Sequence, residues 1–216
     1  MAKERQTFIP ALHFHWLTPL YDPLLRWGMG EQSLKRRLVA QAGIQPGHRV
    51  LDLGCGTGTL TTLVKQLYPD AQVVGIDPDP RVLKIASDKA ARSGVEITWN
   101  EGFATALPYP NQSFDRLLTS LVLHHLTTID KRLVFSEALR VLEPGGSLHI
   151  LDFGVPHTPA TRWLAGFMRR FERVDDNLQG LLPVMMREAG FSEVEVTGST
   201  STIVGSLSYL IGHKPL

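Results

Sequence analysis

The stretch Val50-Leu51-Asp52-Leu53-Gly54-Cys55-Gly56-Thr57-Gly58-Thr59 decides how this chain folds. An apolar run of strand length enters a loop with glycine at every second position, and a helical pattern, Leu60 to Leu67, follows. Glycine turns the chain sharply and lets a ligand lie against bare backbone. The helix start beyond the loop offers unpaired N–H groups to a polar ligand. Working outward, a second apolar strand, Val73-Val74-Gly75-Ile76, ends on Asp77, nineteen positions past Gly58. A carboxylate there can accept hydrogen bonds from both ribose hydroxyls of an adenosine. The competing reading is a tight strand–helix turn beside an acidic helix cap. Loop and carboxylate together are far more specific than either alone.

Similar alternation fills the rest of the chain. Before the loop the pattern predicts a helix from Glu31 to Ala42, capped by Gly43, and a strand from Arg49 to Leu53. After it come a strand (Gln72 to Asp77), a helix (Pro80 to Ser93) ending at Gly94, and strands at Glu96 to Asn100 and Phe114 to Ser120. A helix from Asp130 to Val141, a turn at Pro144-Gly145-Gly146 and a strand from Ser147 to Asp152 follow. A helix from Leu178 to Ala189, capped by Gly190, precedes two final strands, Val194 to Thr200 and Ser206 to His213. Strands alternating with helices predict a mostly parallel sheet covered on both faces, an α/β fold in one domain over 1–216. Ligands bind such sheets beyond the carboxyl ends of the strands. The loops after Leu53, Asp77, Asn100 and Ser120 are therefore the expected site.

Composition narrows the partners. Lys plus Arg is 22 and Asp plus Glu is 21, a formal net charge of +1, which gives no electrostatic case for gripping nucleic acid. No apolar run approaches the roughly 20 residues that span a bilayer, and Met1 to Gln6 has no apolar segment behind it, so neither a membrane span nor a secretory signal is expected. The single cysteine, Cys55, excludes an intramolecular disulfide and fits a cytoplasmic location. One cysteine with scattered histidines predicts no metal site.

The glycine spacing separates two cofactor classes. The dinucleotide fingerprint is G-x-G-x-x-G, but here the third glycine falls at 58 and Thr59 occupies the dinucleotide position. That speaks against an oxidoreductase using a nicotinamide dinucleotide. Val50 to Thr59 instead resembles motif I of the class I S-adenosylmethionine-dependent methyltransferases. Val74-Gly75-Ile76-Asp77 resembles motif II, Phe114 to Leu118 the strand motif that follows, and Arg140-Val141-Leu142-Glu143-Pro144-Gly145-Gly146 the later turn. The four motifs cover residues 35–152. The resemblance implies a Rossmann-like, seven-stranded sheet whose last strand is antiparallel. It also implies S-adenosylmethionine as cofactor and S-adenosylhomocysteine as product.

Roles follow from this resemblance by position. Asp52 would orient the loop or the methionine amine. Gly54, Cys55 and Gly56, continuing into Thr57, Gly58 and Thr59, would pass under the methionine part. Asp77 would hold the ribose and Pro78 would abut the adenine. Many relatives carry Gly-Asp-Ala in the third loop, where this chain has Gly102-Phe103-Ala104. Phe103 would replace the missing side-chain bond by stacking on adenine, with its own N–H or that of Ala104 bonding the ring. Ser120, Leu121 and His125 would line the methionine pocket.

Methyl transfer from a sulfonium needs alignment and exclusion of water, plus a base if the acceptor loses a proton. His125 and, with less weight, His124 are candidates. The segment Leu17-Thr18-Pro19-Leu20-Tyr21-Asp22 resembles the opening segment of the ubiquinone/menaquinone-biosynthesis methyltransferases, which makes Tyr21 a candidate for cofactor contact and catalysis and residues 1–30 a cap. Residues 154–179 would form the variable lid and acceptor region. There Trp163, Leu164, Phe167, Met168, Phe171 and Val174 recur at helical spacing among Arg162, Arg169, Arg170 and Arg173. A lid helix packed on the core is the plainer reading, and peripheral contact with a membrane surface the other. The expected activity is methylation of a small-molecule acceptor, lipophilic or quinone-like. The alternative is a regulatory protein of the same fold that binds S-adenosylmethionine without turnover.

Overall fold

The computed structural model describes residues 30–168 and 173–216. Its elements run α1 (Glu31–Gln41), β1 (Arg49–Leu53), α2 (Thr59–Leu67), β2 (Gln72–Asp77), α3 (Pro80–Arg92), β3 (Thr98–Glu101) and β4 (Phe114–Ser120). A 3₁₀ turn (Leu123–His125), α4 (Thr128–Val141), β5 (Leu142–Phe153), α5 (Pro159–Met168) and α6 (Asp175–Leu178) follow. The chain ends with α7 (Leu182–Ala189), β6 (Ser192–Thr202) and β7 (Gly205–His213).

One seven-stranded sheet has the order β3-β2-β1-β4-β5-β7-β6. The first five strands are parallel, and β7 is antiparallel to both neighbours. Strand order reverses between β1 and β4, so the loops leaving these two strands face each other across the crevice where such sheets bind ligands. Successive strand residues point to opposite faces. Leu117, Ile150 and Leu210 pack under α4 and α7 against Val134, Phe135, Ala138, Met185 and Met186. Their neighbours Leu118, Leu151 and Tyr209 pack on the other face with Leu38, Val39, Leu60, Leu63, Val64 and Ala165 from α1, α2 and α5.

Most ends fall within a residue or two of expectation, and three differences have a local reason. β3 starts at Thr98, not Glu96, because Val95 N–H still donates to Ala90 O at 3.1 Å and keeps the chain at the end of α3. The predicted helix from Leu178 is two pieces, α6 and α7: Gly180 takes φ +71° between them, and Pro183 can neither donate to the preceding turn nor fit against it. The predicted turn at Pro144-Gly145-Gly146 is a bulge inside β5, between the pairs Phe114↔Leu142 and Arg116↔Ser147.

Packing beneath the glycine loop depends on a ring that the motif reading missed. A Cβ on Gly75 would lie 2.5 Å from Trp99 Cζ3, and one on Gly58 2.6 Å from Trp99 Cη2. Trp99, on β3, thus fills the space that both glycines leave. Gly75→Ala should lower stability by roughly 1–3 kcal/mol, because the rigid ring must be displaced. A reduced urea midpoint with unchanged slope is the expected result; an unchanged midpoint would show that the ring yields freely.

Candidate functional site

The loop between β1 and α2 is tied to the tip of β2. Gly54 and Cys55 N–H both donate to Ile76 O, at 2.9 and 3.0 Å, and Gly56 N–H donates to Asp77 Oδ2 at 2.9 Å. Asp77 Oδ1 accepts from Asp79 N–H at 3.0 Å. A carboxylate has about four lone-pair sites, so two remain for other donors. Burial raises the Asp77 pKa above its ordinary value, against the opposing pull of these two N–H bonds.

The three loop glycines do different jobs, although all have positive φ. A Cβ on Gly54 would strike Val122 at 2.7 Å, and one on Gly58 would meet Trp99 and Ala86. Only at Gly56, with φ +51°, would it meet nothing within 4 Å. Gly56 is thus the bare backbone open to a ligand, whereas Gly54 and Gly58 are required by protein neighbours. The Cys55 side chain is buried, and burial pushes its thiol pKa up, so it is packing rather than a nucleophile. Thr57 and Thr59 hydroxyls accept from Lys89 Nζ at 3.1 and 2.7 Å, tying the loop to α3.

Asp52 lies below the loop, 2% exposed, and its Oδ2 accepts from Thr61 Oγ1 at 2.6 Å. Burial raises its pKa to about 6, with the Thr61 bond and Lys35 pulling the other way. A folded-state pKa above the unfolded one means that stability falls as pH rises from about 4 to about 6. Roughly two pH units correspond to about 3 kcal/mol spent on a buried anion. A bound cation would recover part of that.

The third loop sits beside Asp77, with Gly102 N–H donating to Asp77 O at 3.2 Å. Pro78, Gly102 and Ala104 are half-buried, and Phe103 is 39% exposed next to them. The structure therefore brings Asp52, the glycine loop, Asp77, Pro78 and residues 102–104 together along one edge of the sheet.

Across the crevice, Ser120 ends β4 and Leu121 takes φ +58°, a conformation that costs a non-glycine residue roughly 1–3 kcal/mol. Leu121 N–H donates to Leu151 O at 2.9 Å. Val122 and Leu123 N–H both donate to Asp152 Oδ2, at 3.0 and 2.8 Å. Asp152 Oδ1 accepts from Phe153 N–H at 2.7 Å, His124 Nδ1 at 2.9 Å and Asn177 Nδ2 at 3.1 Å. Burial raises the Asp152 pKa, but His124 and these donors outweigh it and hold the carboxyl below its ordinary value. An ionised carboxylate only accepts, so Nδ1 of His124 carries a proton and donates it to Asp152. His124 is thus oriented by a carboxylate. His125 is half-buried and its ring lies 3.9 Å from that of His124, tilted by 44°.

Asp152, Asn177, Lys89 and Trp99 were not singled out from the sequence. Asp152 carried a signal, since it ends an apolar strand as Asp77 does. Tyr21 lies outside the described residues, as do Arg169, Arg170 and Phe171. Arg162 and Trp163 on α5 are exposed, Trp163 by 77%, while Val174 is buried. Among the described residues no helix is long and apolar enough to cross a membrane, and no group of three or more His, Cys, Asp or Glu could hold a metal ion.

Residues 50–146 match the family described as a methyltransferase domain. The chain is 36% identical over 172 residues to a demethylmenaquinone methyltransferase of Thermus thermophilus, covering 78% of this chain and 76% of that protein. It is 31% identical to the ubiquinone/menaquinone biosynthesis C-methyltransferase UbiE of Shewanella sediminis, covering 93% and 90%. The crystal structure of the [4+2]-cyclase SpnF superposes with a TM-score of 0.73 at 21% identity, covering 93% of each chain, and shares the fold. With the cradle and the sheet order in agreement, the chain belongs to the class I S-adenosylmethionine-dependent methyltransferases, of the ubiquinone/menaquinone-biosynthesis type.

Proposed function

We propose that this methyltransferase acts on a lipophilic aromatic acceptor with a ring hydroxyl, of the quinone-related kind named for its relatives, and that His124 is the base. The observation that carries the reading is the 2.9 Å bond from His124 Nδ1 to a buried, ionised Asp152, in the loop whose Val122 packs on Gly54. No observation favours a protein that binds the cofactor without turnover.

The residues fit the cofactor on geometric grounds. Gly56 and the backbone of Cys55 would take the methionine part, in the space that a Cβ would fill. The two unused lone pairs of Asp77 suit the ribose hydroxyls. Pro78 and Phe103 would flank the adenine, with N–H groups of residues 102–104 beside it. Asp52 would face the methionine ammonium across the loop, and Ser120 and Leu121 would close the pocket from β4. When bound, S-adenosylmethionine supplies a methyl group already activated by a positively charged sulfur, and S-adenosylhomocysteine remains.

The chain's own contribution is to orient the acceptor, exclude water and move one proton. His124 Nε2 takes the proton of the ring hydroxyl. The electron pair left behind is shared between the oxygen and its ortho carbons, so either becomes a competent nucleophile; transfer to carbon is completed when that carbon loses its own proton and the phenolate oxygen regains one, restoring the aromatic ring. The imidazolium formed keeps its Nδ1–H on Asp152, which neutralises the new charge without reorganisation.

Incubation with methyl-labelled S-adenosylmethionine and a reduced naphthoquinone bearing an isoprenoid chain should place label in the quinone fraction. No label in naphthoquinols, benzoquinols or phenols would contradict the reading. His124→Gln should lower kcat by roughly 10²–10⁴ while cofactor affinity stays near that of the unmodified enzyme; an undiminished kcat would remove His124 as the base. Asp77→Ala should weaken cofactor binding by about 1–3 kcal/mol by calorimetry, and unchanged affinity in the folded variant would refute the ribose role. Asp52 must be ionised to pair with a cation. Affinity should therefore fall by about tenfold per pH unit below about 6, and Asp52→Asn should abolish that dependence. A flat profile in the unmodified enzyme would exclude the pairing.

A further inference from the structure

Asn177 lies in α6, at the end of the region that the resemblance assigns to the acceptor. It is 1% exposed, and its Nδ2 donates to the same Asp152 oxygen that holds His124. Its Oδ1 is buried and accepts no hydrogen bond. Turning the amide over would not help, because it would set the carbonyl oxygen against an ionised carboxylate. Buried carbonyl oxygens without a donor are rare, since desolvation is then uncompensated.

The surroundings fix this side chain rather than leave it loose. The next residue towards the N-terminus, Asp176, accepts from Lys131 Nζ at 3.0 Å and from Thr128 Oγ1 at 2.8 Å. Lys131 is fully buried and also donates to Arg173 O at 2.9 Å. The short helix is thus bolted to α4 on one side and to Asp152 on the other. An acceptor atom held this firmly without a donor is pre-organised for one that arrives with a ligand.

We propose that Asn177 is a specificity residue of the acceptor subsite, its Oδ1 accepting a hydrogen bond from an acceptor hydroxyl that stays protonated. This rests on the hydroxyl-bearing acceptor proposed above and adds a requirement to it. His124 removes the proton from one hydroxyl, and Asn177 selects for a second. A keto or ether oxygen at that place has no hydrogen to give and would meet the Asn177 oxygen head on. The site therefore discriminates dihydroxylated rings from their singly hydroxylated or keto counterparts.

A cycle of enzyme and acceptor variants tests this. Methyl transfer to a dihydroxynaphthalene acceptor is compared with transfer to its analogue lacking the second hydroxyl, in the unmodified enzyme, Asn177→Ala and the milder Asn177→Ser. In the unmodified enzyme kcat/KM should fall by about 10- to 100-fold on loss of the hydroxyl, mostly through KM. In either variant that penalty should shrink to a few-fold, because the intrinsic reactivity of the two rings cancels in the comparison. If both acceptors suffer equally when Asn177 is replaced, the residue is only a clamp on Asp152 or binds a buried water, and the proposal is overturned. If the variants fail to fold, the unmodified enzyme still decides, since a KM for the singly hydroxylated ring no higher than that for the dihydroxylated ring overturns it. Absence of transfer to either acceptor defeats the acceptor reading itself, and this inference with it.

Discussion

Five N–H donors converge on the carboxylate of Asp152, and the loop after β4, where the acceptor is proposed to bind, hangs on that convergence. Two of them, Val122 and Leu123, are the backbone of the loop after β4. A third, Phe153, continues β5, and the last two are the side chains of His124 and Asn177. The carboxylate is fully buried, yet it stays ionised because these donors replace its water. One charge thus bends a strained loop into shape, selects the tautomer of an imidazole and fastens the start of the last helical segment. Through Val122, whose side chain occupies the space beside Gly54, it also sets the distance between the two loops that form the crevice.

Energetic penalties cluster around this crevice. Leu121 adopts a left-handed backbone, Asp52 sits ionisable in a dry environment, and Asn177 Oδ1 accepts nothing. Each opposes folding, and each makes sense where a ligand will later supply a cation, a donor or a contact. The apolar sheet tolerates them because two continuous cores, one under α4 and α7 and one under α1 and α2, run beneath the site.

The glycine loop and its neighbouring carboxylate, the proposed cofactor side, were legible in the sequence because their geometry is local. Val50 to Thr59 and Asp77 are short motifs in which glycine spacing and a strand-tip carboxylate reflect backbone geometry alone, and β4 runs from Phe114 to Ser120 as its apolar pattern predicts. The cluster around Asp152, the proposed acceptor side, was not, because it is built by long-range contacts. Nothing in the dipeptide His124-His125 says which ring meets a carboxylate 28 positions away, and nothing near Asn177 announces that its amide reaches the same atom. The division of labour among the glycines was equally hidden, since Gly54, Gly56 and Gly58 look alike until Val122 and Trp99 are in place. The break before Pro183 could have been read, because proline is tolerated in the first turn of a helix but not in its interior.

A fold shared with a [4+2]-cyclase does not dictate methyl transfer to a particular acceptor. Chemistry on this scaffold is decided by a few side chains at the strand ends, and in the function proposed here the decisive arrangement is the His124 imidazole held by Asp152. The ¹⁵N chemical shifts of the His124 ring test that arrangement directly. A ring that keeps a proton on Nδ1, hydrogen-bonded to Asp152, is the predicted result. A ring protonated on Nε2 instead, or exchanging freely between the two forms, would contradict the account.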